Sequence, residues 1–178
     1  MKKKEIPVEN LSVKIYDLWA HKWFLLTSGN FNTGEYNTMT VAWGSLGCMW
    51  NKPFAQVVVR PSRYTHDFIT KYEHFTLCSF SEEHKQTLEY LGSVSGRDED
   101  KISKSGLTPV SANTVEAPVF KEAELAIECR KIYYDSLRPE NFLDSSIEKE
   151  YPESDYHTIV FGEIVFVSGV EKYINELK

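Results

Sequence analysis

No stretch of this 178-residue sequence approaches the roughly 20 consecutive apolar residues that a membrane-spanning helix needs. No membrane partner is therefore expected. The opening MKKKEIPVENLS is basic, but no apolar segment follows it, so it lacks the middle region of a secretory signal and a cytoplasmic protein is expected. Cysteine is scarce. Cys48, Cys78 and Cys129 are odd in number, widely spaced and form no CxxC pair, which argues against a disulfide framework and against a zinc site, and predicts buried or half-buried free thiols.

A basic surplus is missing too. The formal charge is −6; residues 1–89 carry ten Lys and Arg against nine Asp and Glu, and residues 90–178 carry ten against seventeen. Binding to nucleic acid needs basic side chains that displace counterions, so nucleic acid is not an expected partner, although a local anion site in the first half stays open. Neither GxGxxG after a strand nor GxxxxGK[ST] occurs, so a nucleotide, if bound, is held in another way. Without an internal repeat, a low-complexity tract or a break in composition, residues 1–178 read as a single domain, and 42% hydrophobic content is enough for a core.

Apolar and β-branched runs bounded by turn residues recur: WFLLTS (23–28), NTMTVAWG (37–44), AQVVVR (55–60), FTLCSF (75–80), ELAIECRKIYY (124–134) and YHTIVFGEIVFVSGVEKY (156–173). They predict six or seven strands. In NTMTVAWG, Met39, Val41 and Trp43 share one face, while Thr38, Thr40 and Ala42 share the other. Helical signals are short. YTHDFITKYE offers Thr65 as N-cap, and SEEHKQTLEYLG offers Ser81 as N-cap and Gly92 as stop. Many short strands without βαβ alternation predict a mainly β barrel or sandwich, and RPENFLDSSIEKEYPESD (138–155) reads as an acidic excursion between two strands that could cover a site or a partner.

Three stretches stand out as candidate site material. Trp43 and Trp50 beside Gly44 and Gly47 are poor core material and suit a strand edge where a flat ligand meets bare backbone. The run VVVRPSRYTHDF puts Arg60, Arg63, Ser62, Thr65 and the free amides of a new helix within six residues, a composition fit to grip phosphate; equally, the arginines can be solvated or paired with Asp67 and Glu73. Ser95, Gly96, Arg97 and Lys101 lie in a Ser/Gly loop that can cradle an anion or simply turn the chain.

Taken in order, NTMTVAWG, WNKP, VVRPSRYT, SVSGRDEDK and YHTIVFGEI resemble the flavin reductase-like family of FMN-binding split barrels, above all its flavoredoxin-type members, from about Trp23 to Val167. The resemblance implies an antiparallel split β-barrel with short connecting helices, a homodimer, and FMN held noncovalently near the subunit interface. It also implies that Asn37, Thr38, Met39, Thr40, Val41, Ala42 and Trp43 line the flavin ring, that Arg60, Ser62, Arg63, Tyr64 and Thr65 form the phosphate turn, and that Ser95, Gly96 and Lys101 approach the phosphate or ribityl chain. His157 matches a histidine that faces a nicotinamide, although Tyr156 interrupts the Gly-Asp-His triplet common in reductases; an ordinary strand histidine is the other reading. Flavin performs the hydride or electron chemistry itself, so no catalytic side chain is required and none is assigned. Two function classes follow: an NADH- or NADPH-dependent reductase of flavin or a small molecule, and an electron-transfer protein that serves a small-molecule or protein acceptor.

Overall fold

The computed structural model describes residues 2–175. Ten strands run in chain order: β1 Lys4–Glu5, β2 Phe24–Asn30, β3 Glu35–Val41, β4 Gly44–Met49, β5 Lys52–Val59, β6 His74–Ser79, β7 Pro109–Val110, β8 Val119–Phe120, β9 Leu125–Ser136 and β10 Thr158–Gly169. Helices are short: α1 Ile15–Asp17, α2 Tyr64–Lys71, α3 Lys85–Ser93 and α4 Lys101–Lys104. One sheet has the order β3-β2-β6-β9-β10-β5-β4, every neighbouring pair antiparallel, with β1 added to β10. It is a split barrel whose free edges, β3 and β4, are consecutive in the chain, so the seam lies where Ala42 and Trp43 join them.

The sequence specifies this closure locally. β9 and β10 are twelve residues each and pair with register breaks at Phe161/Gly162 and Ile164/Phe166, and such bulges bend and twist a long hairpin. Gly162 sits under the Phe75 ring, where a Cβ would lie 2.5 Å from ring carbons. Alternate side chains of β2 divide between two cores, as the period-two geometry of a strand demands. Phe24 and Leu26 pack inside the barrel with Val57, Val59, Phe75 and Ile127, while Leu25 packs outside with Phe80, Leu88, Leu91 and Phe120 beneath α3.

Each of the six apolar runs contains a strand, and the acidic excursion spans the gap between β9 and β10. Four expectations are corrected. NTMTVAWG stops being a strand at Val41, so Trp43 leaves the Met39/Val41 face and is 47% exposed. Gly44 and Gly47 belong to β4 and make room for the protein's own rings: a Cβ on Gly44 would lie 2.4 Å from Trp19 Cη2, and one on Gly47 would lie 3.0 Å from the Phe54 ring. Thr65 is not a cap. α2 starts two residues earlier, at Tyr64, with Arg63 at the N-cap position, and buried Thr65 accepts a hydrogen bond from Asn37 Nδ2 at 2.8 Å. Gly92 lies inside the last turn of α3, where a Cβ would meet Thr40 at 3.1 Å. Close approach to β3 is what that glycine permits.

All three thiols are free; Cys78 and Cys129 are buried and Cys48 is exposed. Burial pushes the Cys78 thiol up to about 12, which keeps it protonated and inert. Among the described residues no helix is long and apolar enough to cross a membrane.

Candidate functional site

Two adjoining cavities lie along the seam. The larger, about 210 Å³, is walled on one side by Met39 to Trp43 and on the other by Val58, Arg60, Arg63, Glu150 and His157. The smaller, about 80 Å³, is formed by Asn37, the first turn of α2 with the preceding Ser62 and Arg63, and the segment from Gly92 to Ser95, with Lys101 behind it. Met39 and Arg63 face both. The larger space is flanked by strand backbone and suits a flat ring. The smaller is the size of a phosphate group and lies at a helix N-terminus, where unpaired amides and partial positive charge favour an anion.

Fourteen of the sixteen predicted residues line one cavity or the other. Thr38 and Gly96 do not. Thr38 faces away from the seam, is wholly buried, donates to Leu26 O at 2.9 Å and accepts from Thr27 Oγ1 at 2.9 Å. The Gly96 backbone lies against Asn37 and Tyr64 and lines a third cavity instead. Thr40 is fixed by donation to Leu88 O at 2.5 Å, which docks α3 on β3 and holds the seam edge in place.

The charges are distributed unequally. Arg60 and Ser62, expected at the phosphate, are taken by Asp155: Arg60 Nη1 donates at 2.6 Å, Ser62 Oγ donates at 2.8 Å, and Arg60 Nη2 also donates to Glu150 O at 2.6 Å. Burial would raise the Asp155 carboxyl, but Ser62 and Arg60 outweigh it and hold it below the ordinary aspartate range. The neighbouring cations are different. The Arg63 guanidinium donates to Gly92 O, at 3.2 Å, and the ammonium of buried Lys101 donates to the carbonyls of Leu91 and Val94, both at 2.8 Å. Neither has a carboxylate partner among the described residues. Burial, and secondarily the Arg63 charge, lower the Lys101 ammonium to about 8. A compact anion in the 80 Å³ cavity would supply the counter-charge that both cations lack, so the residues present fit a phosphate.

The acidic excursion forms a strap over the ring-sized cavity. Tyr151 is 5% exposed, stacks on Phe142 at 5.9 Å, carries the Arg60 guanidinium over its ring at 4.9 Å, and is hydrogen-bonded through its hydroxyl to His157 Nδ1 at 2.8 Å. His157 is 7% exposed, lies one residue before β10, and meets the Trp43 ring at 5.3 Å. Burial first, then the charges of Arg60 and Arg63, lower this imidazole to about 4 against the opposing pull of Asp155, so it is neutral at pH 7. It is neither a half-exposed nor a strand histidine; it is part of the cavity wall. Sequence reasoning missed Tyr151, Glu150 and Asp155. The available signal was an aromatic pair, Phe142 and Tyr151, inside a stretch otherwise rich in acids.

The flavin reductase like domain model matches residues 18–176. Among solved structures, flavoredoxin of Desulfovibrio vulgaris (Miyazaki F) superposes with a TM-score of 0.66 at 26% identity, covering 93% of this chain and 77% of that one. The FMN-binding domain of a flavin reductases-like enzyme from Shewanella baltica OS155 gives a TM-score of 0.69 at 19% identity, over 98% and 81% of the two chains. An uncharacterized protein of Archaeoglobus fulgidus is 28% identical over 151 residues, 85% of this chain and 73% of its own.

Proposed function

This chain belongs to the flavin reductase like domain family, and from that premise we propose that it binds FMN across the β3/β4 seam and works as an NADH- or NADPH-dependent reductase of flavin or a small molecule. The observation that carries the reading is the juxtaposition of two cations without carboxylate partners, Arg63 and Lys101, on a phosphate-sized cavity that opens into a ring-sized one. FMN, when bound, supplies the hydride and electron chemistry. The chain's own contribution is to hold and screen. Backbone at Met39–Ala42 presents hydrogen-bonding groups along one edge of the ring-sized cavity. The Tyr151–His157–Trp43 wall limits access of water from the strap side, and neutral His157 leaves Arg60 and Arg63 as the positive charges there.

The purified protein is expected to show a flavin absorbance spectrum and to take up FMN in clear preference to riboflavin, because the phosphate gains the Arg63 and Lys101 contacts. Equal affinity for the two ligands would remove the phosphate assignment. Addition of NADH or NADPH without oxygen is expected to bleach the bound flavin. Flavin that stays oxidised with both nicotinamides, yet is reduced by dithionite, selects the second reading, an electron-transfer protein served by a partner. The buried, strap-covered position of His157 is the feature that favours this alternative, since the residue matched to nicotinamide contact is already engaged by Tyr151 and Trp43.

A cytoplasmic homodimer belongs to the same reading. The outer face of β5, β10 and β9 carries an aromatic cluster: Phe54 meets Phe161 at 5.3 Å, Tyr133 meets Phe161 at 6.0 Å, and Trp50, at the β4–β5 turn, meets Tyr133 at 6.2 Å. Trp50 is 57% exposed and Tyr133 45%. Aromatic residues of this kind are enriched at interface centres, and the partner proposed for the cluster is the same cluster on a second copy. Light scattering at micromolar concentration is expected to give a dimer mass, and Trp50→Glu a monomer. A monomeric wild type rejects the homodimer.

A further inference from the structure

Tyr151 is the only buried residue of the strap between Arg138 and Asp155, and one arginine fixes the strap on both sides of it. Arg60 donates from Nη2 to the carbonyl of Glu150 and from Nη1 to Asp155, each at 2.6 Å. The same guanidinium lies 4.9 Å from the centre of the Tyr151 ring, and Phe142 and Tyr156 pack on that ring at 5.9 and 4.9 Å. A cation and two aromatic neighbours therefore hold the ring in place. Its hydroxyl has one hydrogen-bond partner among the described residues, His157 Nδ1 at 2.8 Å.

That one bond decides which nitrogen of the imidazole carries the proton. Were Nδ1–H to donate to the phenol oxygen, the Tyr151 O–H would be left without an acceptor inside a buried contact, and a buried donor left unpaired is costly. With the O–H donating to Nδ1, both groups are satisfied. The donor strengths point the same way, because a phenol is a stronger acid than a neutral imidazole N–H and an imidazole nitrogen a stronger base than a phenol oxygen. Burial and the charges of Arg60 and Arg63, opposed by Asp155, keep the ring neutral, so its single proton sits on Nε2. Nε2 has no hydrogen-bond partner among the described residues and, unlike the indole nitrogen of Trp19, is not sealed in the interior. His157 lines the ring-sized cavity with Arg60, Arg63 and Glu150, and this N–H opens there.

We propose that Tyr151 is a positioning residue: through its bond to Nδ1 it fixes His157 as the Nε2–H tautomer, so that this wall offers the ring-sized cavity a hydrogen-bond donor and favours a substrate that brings a carbonyl-type oxygen to it. The tautomer follows from the strap alone; the substrate contact rests on the reductase reading given above. The Trp43 ring, 5.3 Å from the imidazole, packs on it from the seam and limits its rotation. A neutral donor beside two arginines suits an acceptor oxygen and disfavours a second donor or a cation. The strap thus does more than cover the cavity. It carries the hydroxyl that sets the direction of the one polar group His157 presents.

Nitrogen-15 NMR of the purified protein tests the tautomer directly, with the His157 signals identified by their absence from His157→Gln. The wild type at pH 7 is expected to show Nε2 protonated and Nδ1 bare. Tyr151→Phe keeps the ring that Arg60 and Phe142 hold but lacks the hydroxyl, and is expected to show a mixture of the two tautomers with a melting temperature within a few degrees of the wild type. A protonated Nδ1 in the wild type, or a Tyr151→Phe variant that keeps Nε2–H alone, overturns the positioning role. The substrate contact is read on the FMN-loaded protein. Tyr151→Phe is expected to raise the apparent KM for whichever of NADH and NADPH reduces the wild type, since the carboxamide brings such an oxygen, by about threefold or more, the scale of one hydrogen bond, with FMN affinity and dithionite reduction unchanged. An unchanged KM beside the expected NMR result overturns the substrate contact and leaves the tautomer. If neither nicotinamide reduces the wild type, the substrate contact falls with the reductase reading, and the NMR result still decides the role of Tyr151.

Discussion

Replacing Arg63 with alanine is expected to weaken FMN binding by roughly 1.5–3 kcal/mol, about 10- to 150-fold, with the melting temperature nearly unchanged. The size follows from what Arg63 does in the free protein. It faces both seam cavities but spends its guanidinium on one 3.2 Å contact to the Gly92 carbonyl, so its removal leaves no buried charge without a partner. What is lost is a charge-assisted contact made only with ligand. Arg60→Ala should behave in the opposite way. It strips Asp155 of its ion pair and Tyr151 of its cation, so the strap and the melting temperature suffer first and FMN affinity second. Titration and melting curves on the two variants separate the roles. If Arg60→Ala costs more FMN affinity than Arg63→Ala, the phosphate has been put on the wrong arginine.

That reversal of roles shows where the sequence could and could not be read. Periodicity found the strands because it reports a local fact: alternate residues face opposite sides, and the 12-residue β10 alternates from Thr158 to Ile164 and resumes at Val167, one residue out of phase, after the second bulge. The seam residues 39–43 were also legible, through order and spacing shared with a family. The pairing of Arg60 was not. Its partner Asp155 lies 95 positions away in an acidic excursion that could be read as a cover for a site but not as the partner of one particular arginine, and nothing local distinguishes Arg60 from Arg63. Thr38 failed for a related reason. Alternation assigned it correctly to the face opposite Met39 and Val41, but whether that face meets solvent, ligand or a neighbouring strand depends on β2, whose Thr27 and Leu26 take its hydroxyl.

Glycine was misread by the same route. Gly44 and Gly47 do mark close approach, but the approaching groups are Trp19 and Phe54 rather than a ligand. β4 was overlooked because its two glycines give it little side-chain pattern; its pairing with β5 is fixed by the tight turn at Trp50 and Asn51, both at positive φ, which closes the hairpin. Buried Glu128 is a further case. A glutamate inside ELAIECRKIYY looks like an outward residue, yet it is wholly buried and accepts four hydrogen bonds, from the backbone and side chains of Asn113 and Thr114. A charge can sit in the core when four donors replace its water, and those donors are supplied by a loop 14 and 15 positions away.

Acid is expected to weaken the folded state through His157 by about 3 kcal/mol, the linkage value of a folded-state value near 4 set against an ordinary 6.5. The sign follows from the direction of the shift. The unfolded chain takes up the proton near pH 6.5, whereas the folded chain resists it because the imidazole is buried among Tyr151, Trp43, Arg60 and Arg63. Stability from this group is therefore complete above about pH 6.5 and is lost progressively as pH falls toward about 4. Carboxylates, Asp155 among them, titrate over the lower part of the same window, so the wild-type slope alone does not isolate the histidine. His157→Gln does, because an amide can still bond to the Tyr151 hydroxyl but takes no proton. Chemical denaturation at stepped pH should show the wild type losing about 3 kcal/mol more than the variant between pH 6.5 and 4, and parallel curves would show that His157 is not held neutral by the wall. The same variant bears on function. A residue that only closes the wall should leave FMN affinity and anaerobic reduction by NADH or NADPH nearly intact at pH 7. A residue that touches the nicotinamide should slow reduction and raise the apparent KM while FMN affinity and dithionite reduction stay as they were. A neutral histidine in contact with Trp43 at the mouth of a ring-sized cavity can meet a neutral ring as well as wall a pocket, and the pH slope and the KM together assign it.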